Sequence, residues 1–257
     1  MAAQASCVVV DYGCPDGTGD WVESVFPDVT VVRADNADGF NPSRARNLGV
    51  AAARTAAVCL IDADVMVAPQ FVDTVTSALD SRRFYLAEPF AGDVSGTMIC
   101  DRAAFEFAEG YDEACTGWGG EDFDLYERFE FHGLQRASFP ASLLSALPHS
   151  DAERTHHHAE RSKELSNSVN LLYSHIKLDL MRLSGARVPL DYRRRLHAEV
   201  DGACRRSIET GSSVRLELPV TDVDVNGCAL TTTLACTIDM RTGHMATVAA
   251  AGDAAGA

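Results

Sequence analysis

Two carboxylates separated by one residue, Asp62 and Asp64 in LIDADV, follow directly on an apolar run over residues 57–61. On a turn past a buried strand such a pair offers hard oxygen ligands to Mg²⁺ or Mn²⁺, with a nucleotide diphosphate supplying the remaining oxygens. The same triplet also occurs in plain solvated turns. A second acidic pair, Glu121-Asp122, stands behind Trp118-Gly119-Gly120. Carboxylates in the first turn of a helix are held ionised by the positive end of its dipole, which suits a base that must be deprotonated at neutral pH and equally suits simple capping. Trp118 can stack on the apolar face of a sugar ring or fill a core. His149 in PHS is a candidate ligand because a metal bound by one carboxylate and a diphosphate still lacks a protein donor. The triplet His156-His157-His158 reads instead as solvated surface, since adjacent helix residues point in different directions.

These groups need elements to position them. From residue 7 to about residue 140, short apolar runs alternate with helical patterns. Residues 7–10 form a β-branched run that stops at Asp11, and residues 29–32 form another. Asn41-Pro42 reads as an N-cap and first helical position, opening a helix through Ala45, Leu48 and Ala52. The run 57–61 is a buried strand, Pro69 opens a helix with Phe71, Val72, Val75 and Leu79 on one face, and strands follow near residues 84–87 and 97–100. Gly119 and Gly120 turn the chain into a helix that Gly133 stops. Strand and helix alternating at this pitch predict an α/β layer fold around a mostly parallel sheet, with ligands bound off the carboxyl ends of the strands, where Asp11, Asp62 and Asp64 fall.

Composition narrows the partners. The chain has 257 residues, 46% hydrophobic and 23% charged, which is ordinary for a globular protein. Its 37 acidic against 22 basic residues give a net charge of −15, so a nucleic-acid backbone is repelled by the average field. A phosphate-bearing small ligand would need local Arg or Lys, helix N-termini or a divalent cation. The eight cysteines include no CxxC pair and read as small buried hydrophobes in a reducing compartment. With no apolar run long enough to span a bilayer and no leader pattern, the expected location is the cytoplasm, with a peripheral position at a membrane left open.

The ordered set VVVDYGCPDGT, NPSRARNLGVAAA, LIDADV, GYDEACTGWGGEDFDLYERF and PHS resembles the nucleotide-sugar-dependent glycosyltransferases of GT-A fold. It is most similar to the large inverting family 2 and its galactosyltransferase and chondroitin-polymerase relatives, over roughly residues 7 to 150. The resemblance implies an enzyme of hexosyltransferase type with a nucleotide-diphospho-sugar transferase, Rossmann-like sheet. The donor it implies is a nucleotide sugar, above all a UDP-sugar, with Mn²⁺ or Mg²⁺ as cofactor. Asp62-Ala63-Asp64 matches the family's DxD motif, whose first Asp faces the ribose and whose second binds the metal. Asp11 matches the acid near the nucleoside base, and Arg46 and Asn47 match the ARN signature that helps hold the nucleotide. Glu121-Asp122 matches the ED motif, in which the Asp is the catalytic base, while Trp118, Gly119 and Gly120 shape the acceptor and sugar pocket. His149 matches a downstream metal-binding histidine. The family's usual first strand has no counterpart in the six residues ahead of Cys7, so the expectation is that the true start lies upstream, that the fold has lost this strand, or that another chain completes it.

Three parts are expected: a GT-A domain over residues 1–150, a helical extension over 151–210, and a β-hairpin-like extension over 211–257 with a turn at Asn226-Gly227 and a frayed tail. Arg193, Arg194, Arg195, Arg205 and Arg206 make a basic patch, read as a solvated helix face or as a contact for an anionic acceptor or a membrane surface. The acceptor can be a carbohydrate, a lipid-linked glycan, a natural product or a protein. The alternative expectation is a non-catalytic or truncated relative that binds a nucleotide sugar or pairs with a partner chain, for instance as a homodimer through an open sheet edge. A sugar-nucleotide-forming nucleotidyltransferase is disfavoured, because GCPDGTGD carries glycines but no Lys or Arg to join them around a triphosphate.

Overall fold

The computed structural model describes residues 5–35, 39–89, 94, 96–148, 160–225 and 228–240. The chain divides into two units, Met1–Lys163 and Glu164–Ala257. In the first, strand β1 (Val8–Asp11) pairs in parallel with β2 (Thr30–Arg33), and helix α1 (Thr18–Val25) lies between them in sequence. Helix α2 (Pro42–Ala52) starts as its sequence predicts: Asn41 Oδ1 accepts from Arg44 N at 2.9 Å and Pro42 occupies the first turn.

The central four-stranded sheet runs β3 (Ala57–Leu60), β6 (Met98–Asp101), β5 (Arg83–Glu88), β7 (Gln135–Pro140), in that spatial order. It is mixed rather than mostly parallel: β6 runs antiparallel to both β3 and β5, and only β5 and β7 are parallel. The connection lengths explain this. Parallel neighbours need a crossover, and helices α4 (Arg102–Phe107) and α5 (Glu121–Phe131) supply one between β5 and β7, whereas β5 and β6 are only nine residues apart in sequence. A small antiparallel pair, β4 (Val65–Val67) with β8 (Leu144–Ala146), and the short helix α3 (Phe71–Thr76) complete the unit.

The sheet is buried on both faces, and the period of two sorts its residues. Phe84, Met98 and Cys100 pack with Val58, Leu60, Phe105, Tyr111, Leu125, Tyr126 and Phe129 on one side. Tyr85, Ala87 and Ile99 pack with Phe71, Val75, Phe139 and Leu143 on the other. The same alternation corrects the reading of the cysteines: on β3, Val58 and Leu60 are buried while Cys59 between them is exposed, as is Cys7. Cys7, Cys14, Cys59, Cys100, Cys115, Cys204 and Cys236 are free thiols.

The second unit contains the long helix α6 (Lys163–Ser184), helix α7 (Leu190–Thr210) and an antiparallel hairpin of β9 (Val214–Val225) and β10 (Cys228–Ile238). His197 Nε2 and Asn170 Oδ1 lie 2.8 Å apart, and Tyr173 packs edge-on to the His197 ring, which ties α6 to α7. Gly211, left-handed at φ 60°, ends α7. In the basic patch, Arg205 pairs with Asp201 one turn away and Arg195 lies over the Tyr192 ring. No described helix is long and apolar enough to cross a membrane.

Candidate active site

Four segments of the first unit converge. Helix α2 presents Arg46, the turn after β3 presents Asp62, and the first turn of α5 presents Glu121 and Asp122. The segment after α4 contributes Tyr111. Arg46 Nη1 donates to Glu121 Oε1 and Nη2 to Asp62 Oδ1, each at 2.9 Å, and Nη1 lies 4.0 Å from Asp122 Oδ1. The guanidinium also sits 4.9 Å over the Tyr111 ring. Burial works against its charge, but the negative groups around it, Asp122 foremost, outweigh that cost and raise its pKa, so Arg46 stays a cation.

Asp122 is the perturbed group. Burial and the charges of Glu121 and Asp62 push its carboxyl up, Arg46 and the Tyr111 hydroxyl hold it down, and the balance falls at about 7. Its Oδ1 accepts the Tyr111 hydroxyl at 2.8 Å. Its Oδ2 faces Gly96: a Cβ there would stand 3.5 Å from Asp122 Oδ2 and 2.9 Å from Asp62 Oδ2, so a residue without a side chain lets both carboxylates lie close to the chain at this point. Gly117, Gly119 and Gly120 have φ of 75°, 86° and 83°, left-handed values that give the chain its sharp entry into α5. Trp118 lies among them, half-buried.

The segment carrying Tyr111 is pinned from two helices. Asn47 Oδ1 accepts from Tyr111 N at 2.8 Å, and its Nδ2 donates to Tyr111 O at 2.9 Å and to Glu113 Oε1 at 3.0 Å. Asn41 Nδ2 donates to the carbonyls of Glu113 and Cys115. From α5, the buried Arg128, paired with the buried Asp124, donates to the carbonyls of Ala108 and, at 2.6 Å, Gly110. Tyr111 and Arg128 lie inside the segment GYDEACTGWGGEDFDLYERF and Asn41 opens NPSRARNLGVAAA, but their types and spacing assign none of them a role at the site, and Gly96 stands outside every motif.

The remaining predicted residues stand apart from this cluster. Asp11 accepts from Cys14 N at 2.8 Å, Gly19 N at 3.1 Å and Arg33 Nη1 at 3.3 Å, so its carboxylate fastens the turn into α1. Asn47 likewise spends its amide on the chain around Tyr111. Asp64, half-buried, ends the turn that the Val65 N to Asp62 O bond closes, and its own carbonyl accepts from Leu147 N at 2.7 Å. His149 lies outside the described residues, as does the His156-His157-His158 triplet. Among the described residues no group of three or more His, Cys, Asp or Glu side chains is arranged to hold a metal ion.

Two family models match this chain. The one described as glycosyl transferase family 2 covers residues 4–95, and the one described as the N-terminal domain of galactosyltransferase covers residues 77–159. The mannosyltransferase PcManGT from Pyrobaculum calidifontis, solved with GDP-Man and Mn²⁺, superposes with a TM-score of 0.50 at 18% identity, over 80% of this chain and 67% of its own. The chain has the GT-A glycosyltransferase fold, with family 2-like and galactosyltransferase-like matches over residues 4–159. The catalytic domain of Drosophila β1,4-galactosyltransferase 7, solved with xylobiose, is similar at a TM-score of 0.45 and 14% identity, over 90% of this chain and 92% of its own. A search of curated proteins gives no match. The Arg46 cluster lies within the span that the two models share out.

Proposed function

We propose that the first unit is a metal-dependent inverting glycosyltransferase that moves a sugar from a nucleotide sugar, foremost a UDP-sugar, to an acceptor hydroxyl, with Asp122 as general base. The observation that carries this reading is Asp122 itself: a carboxyl poised at about 7, with one oxygen facing a glycine and a fixed cation behind it. PcManGT, which shares the fold, was solved with a nucleotide sugar and Mn²⁺, and that supports the donor class.

In the reaction, Asp122 takes the proton from the acceptor hydroxyl as its oxygen bonds to the anomeric carbon. The bond from that carbon to the diphosphate breaks, and the electron pair leaves with the nucleoside diphosphate. One displacement inverts the centre and needs no covalent enzyme intermediate. Arg46 keeps Asp62, Glu121 and Asp122 together; with three carboxylates against one guanidinium, the site has no positive charge to spare for a diphosphate. A divalent cation answers that deficit, and a carboxylate oxygen at the end of a strand is a donor of the right hardness for it. Asp64 would hold it together with His149, the two residues that the resemblance to the family marks as metal ligands. When bound, the cation supplies neutralisation of the departing diphosphate.

The test is transfer from a panel of UDP-sugars to simple glycosides, with the product's anomeric configuration read by NMR. The expected product is inverted, and Asp122→Asn lowers transfer by roughly 100-fold or more while binding of UDP with Mn²⁺ persists. Full transfer by Asp122→Asn contradicts the assignment of the base.

A further inference from the structure

We propose that Tyr111 is the positioning residue of the base: its hydroxyl engages Asp122 Oδ1 and so leaves Oδ2, the oxygen in front of Gly96, as the atom that receives the acceptor's proton. The inference rests on the reading of Asp122 as base and adds which oxygen acts and what holds it.

The geometry is one-sided. Both groups that approach Oδ1 do so from the protein interior, the Tyr111 hydroxyl at 2.8 Å and Arg46 Nη1 at 4.0 Å. Oδ2 points instead to the space beside Gly96 that Asp62 Oδ2 also faces. A carboxylate whose one oxygen accepts a short hydrogen bond from a phenol is fixed in rotation and presents its other lone pairs in one direction. Tyr111 is 1% exposed, with its ring packed against Phe105 under the Arg46 guanidinium. Its backbone N–H and C=O are both taken by Asn47, and Arg128 holds the preceding carbonyl. The phenol therefore cannot follow Asp122 to another rotamer. The arrangement survives the proton transfer, because Oδ1 still accepts from Tyr111 when the proton rides on Oδ2. Phenylalanine would fill the same core volume, so packing alone gives no reason for the hydroxyl.

Among the described residues, the charged and titratable groups facing Asp122 are Arg46 from α2, Asp62 from the turn after β3, Glu121 and Tyr126 from α5, and Tyr111 itself. Only Tyr111 donates to it through a neutral hydroxyl, so altering that hydroxyl changes a hydrogen bond and no formal charge. A hydrogen bond to the ionised form favours that form. Weakening it must raise the Asp122 midpoint, and strengthening it must lower it.

The experiment is a carboxyl ¹³C NMR titration of the full chain labelled at aspartate, with the Asp122 signal assigned by its loss in Asp122→Asn. Three samples are compared: wild type, Tyr111→Phe, and a chain with 3-fluorotyrosine at position 111, a stronger donor on the same ring. The wild-type midpoint is expected at about 7, moving up by roughly half a pH unit or more in Tyr111→Phe and down with the fluorinated ring. A midpoint that stays still in both, or moves the same way in both, overturns the proposal, because altered packing gives no reason for opposite shifts. A still midpoint together with an inactive Asp122→Asn removes Tyr111 from the account and leaves the base in place. Opposite shifts together with a fully active Asp122→Asn keep the coupling and remove the base.

Discussion

A carboxylate that must take a proton near neutrality needs its charge made costly, and at Asp122 burial, Glu121 and Asp62 do so against Arg46 and Tyr111. Below about pH 7 the proposed base is protonated, so kcat/KM is expected to fall on the acid side with a midpoint there, as a pH–rate profile will read. The same shift has a cost in stability. The folded-state value lies above the ordinary 3.8, so the native protein binds more protons than the unfolded chain between about 4 and 7 and loses stability as pH rises through that window. Asp122→Asn removes the penalty: its thermal midpoint should exceed that of the wild type, and the excess should grow from pH 5 to pH 8 in parallel scans. At Gly96 the argument is steric. Ala at that position puts a Cβ 2.9 Å from Asp62 Oδ2, forces that carboxylate to shift, and narrows the space before Asp122 Oδ2. Transfer should fall about tenfold or more while the fold holds, since the atom that must give is the end of a flexible side chain. The acidic pairs were legible in the sequence because their types and spacing carry the chemistry. Tyr111 and Gly96 were not, because each matters only through a neighbour remote in sequence.

The same division holds among the elements. Helix α2 announces itself through Asn41-Pro42, and α5 through the glycines ahead of it, since capping is local chemistry written in adjacent residues. Helix α1 starts on Gly17 with no side-chain cap and leaves only a turn-like run of glycines to read. Asp101 does cap α4, accepting from Ala103 N and Ala104 N, but this cap also ends a strand and reads equally as strand end. The direction of β6 is set by the length of its connection and not by its own residues. What holds the segment of residues 108–115 in place is likewise long-range. The Arg128–Asp124 pair is buried and spends its guanidinium on the carbonyls of Ala108 and Gly110. Removing one member strands the other: Arg128→Met is expected to cost about 3–5 kcal/mol in denaturant unfolding, with loss of activity following loss of fold.

At the scale of the molecule, an acidic chain of net charge −15 has at its candidate site three carboxylates around one guanidinium. Such a site repels a diphosphate unless a cation accompanies it, and that makes the joint requirement for nucleotide and metal the central claim. The direct measurement is thermal unfolding with UDP alone, Mn²⁺ alone and both, for wild type and Asp64→Ala, with GDP in a parallel series. A ligand that binds only the native state at about 100 times its Kd stabilises by roughly 2.7 kcal/mol, enough to move the midpoint by several degrees. The account predicts a rise for wild type only when nucleotide and Mn²⁺ are present together, and none for Asp64→Ala. A rise that needs no metal, or one that Asp64→Ala retains in full, contradicts it.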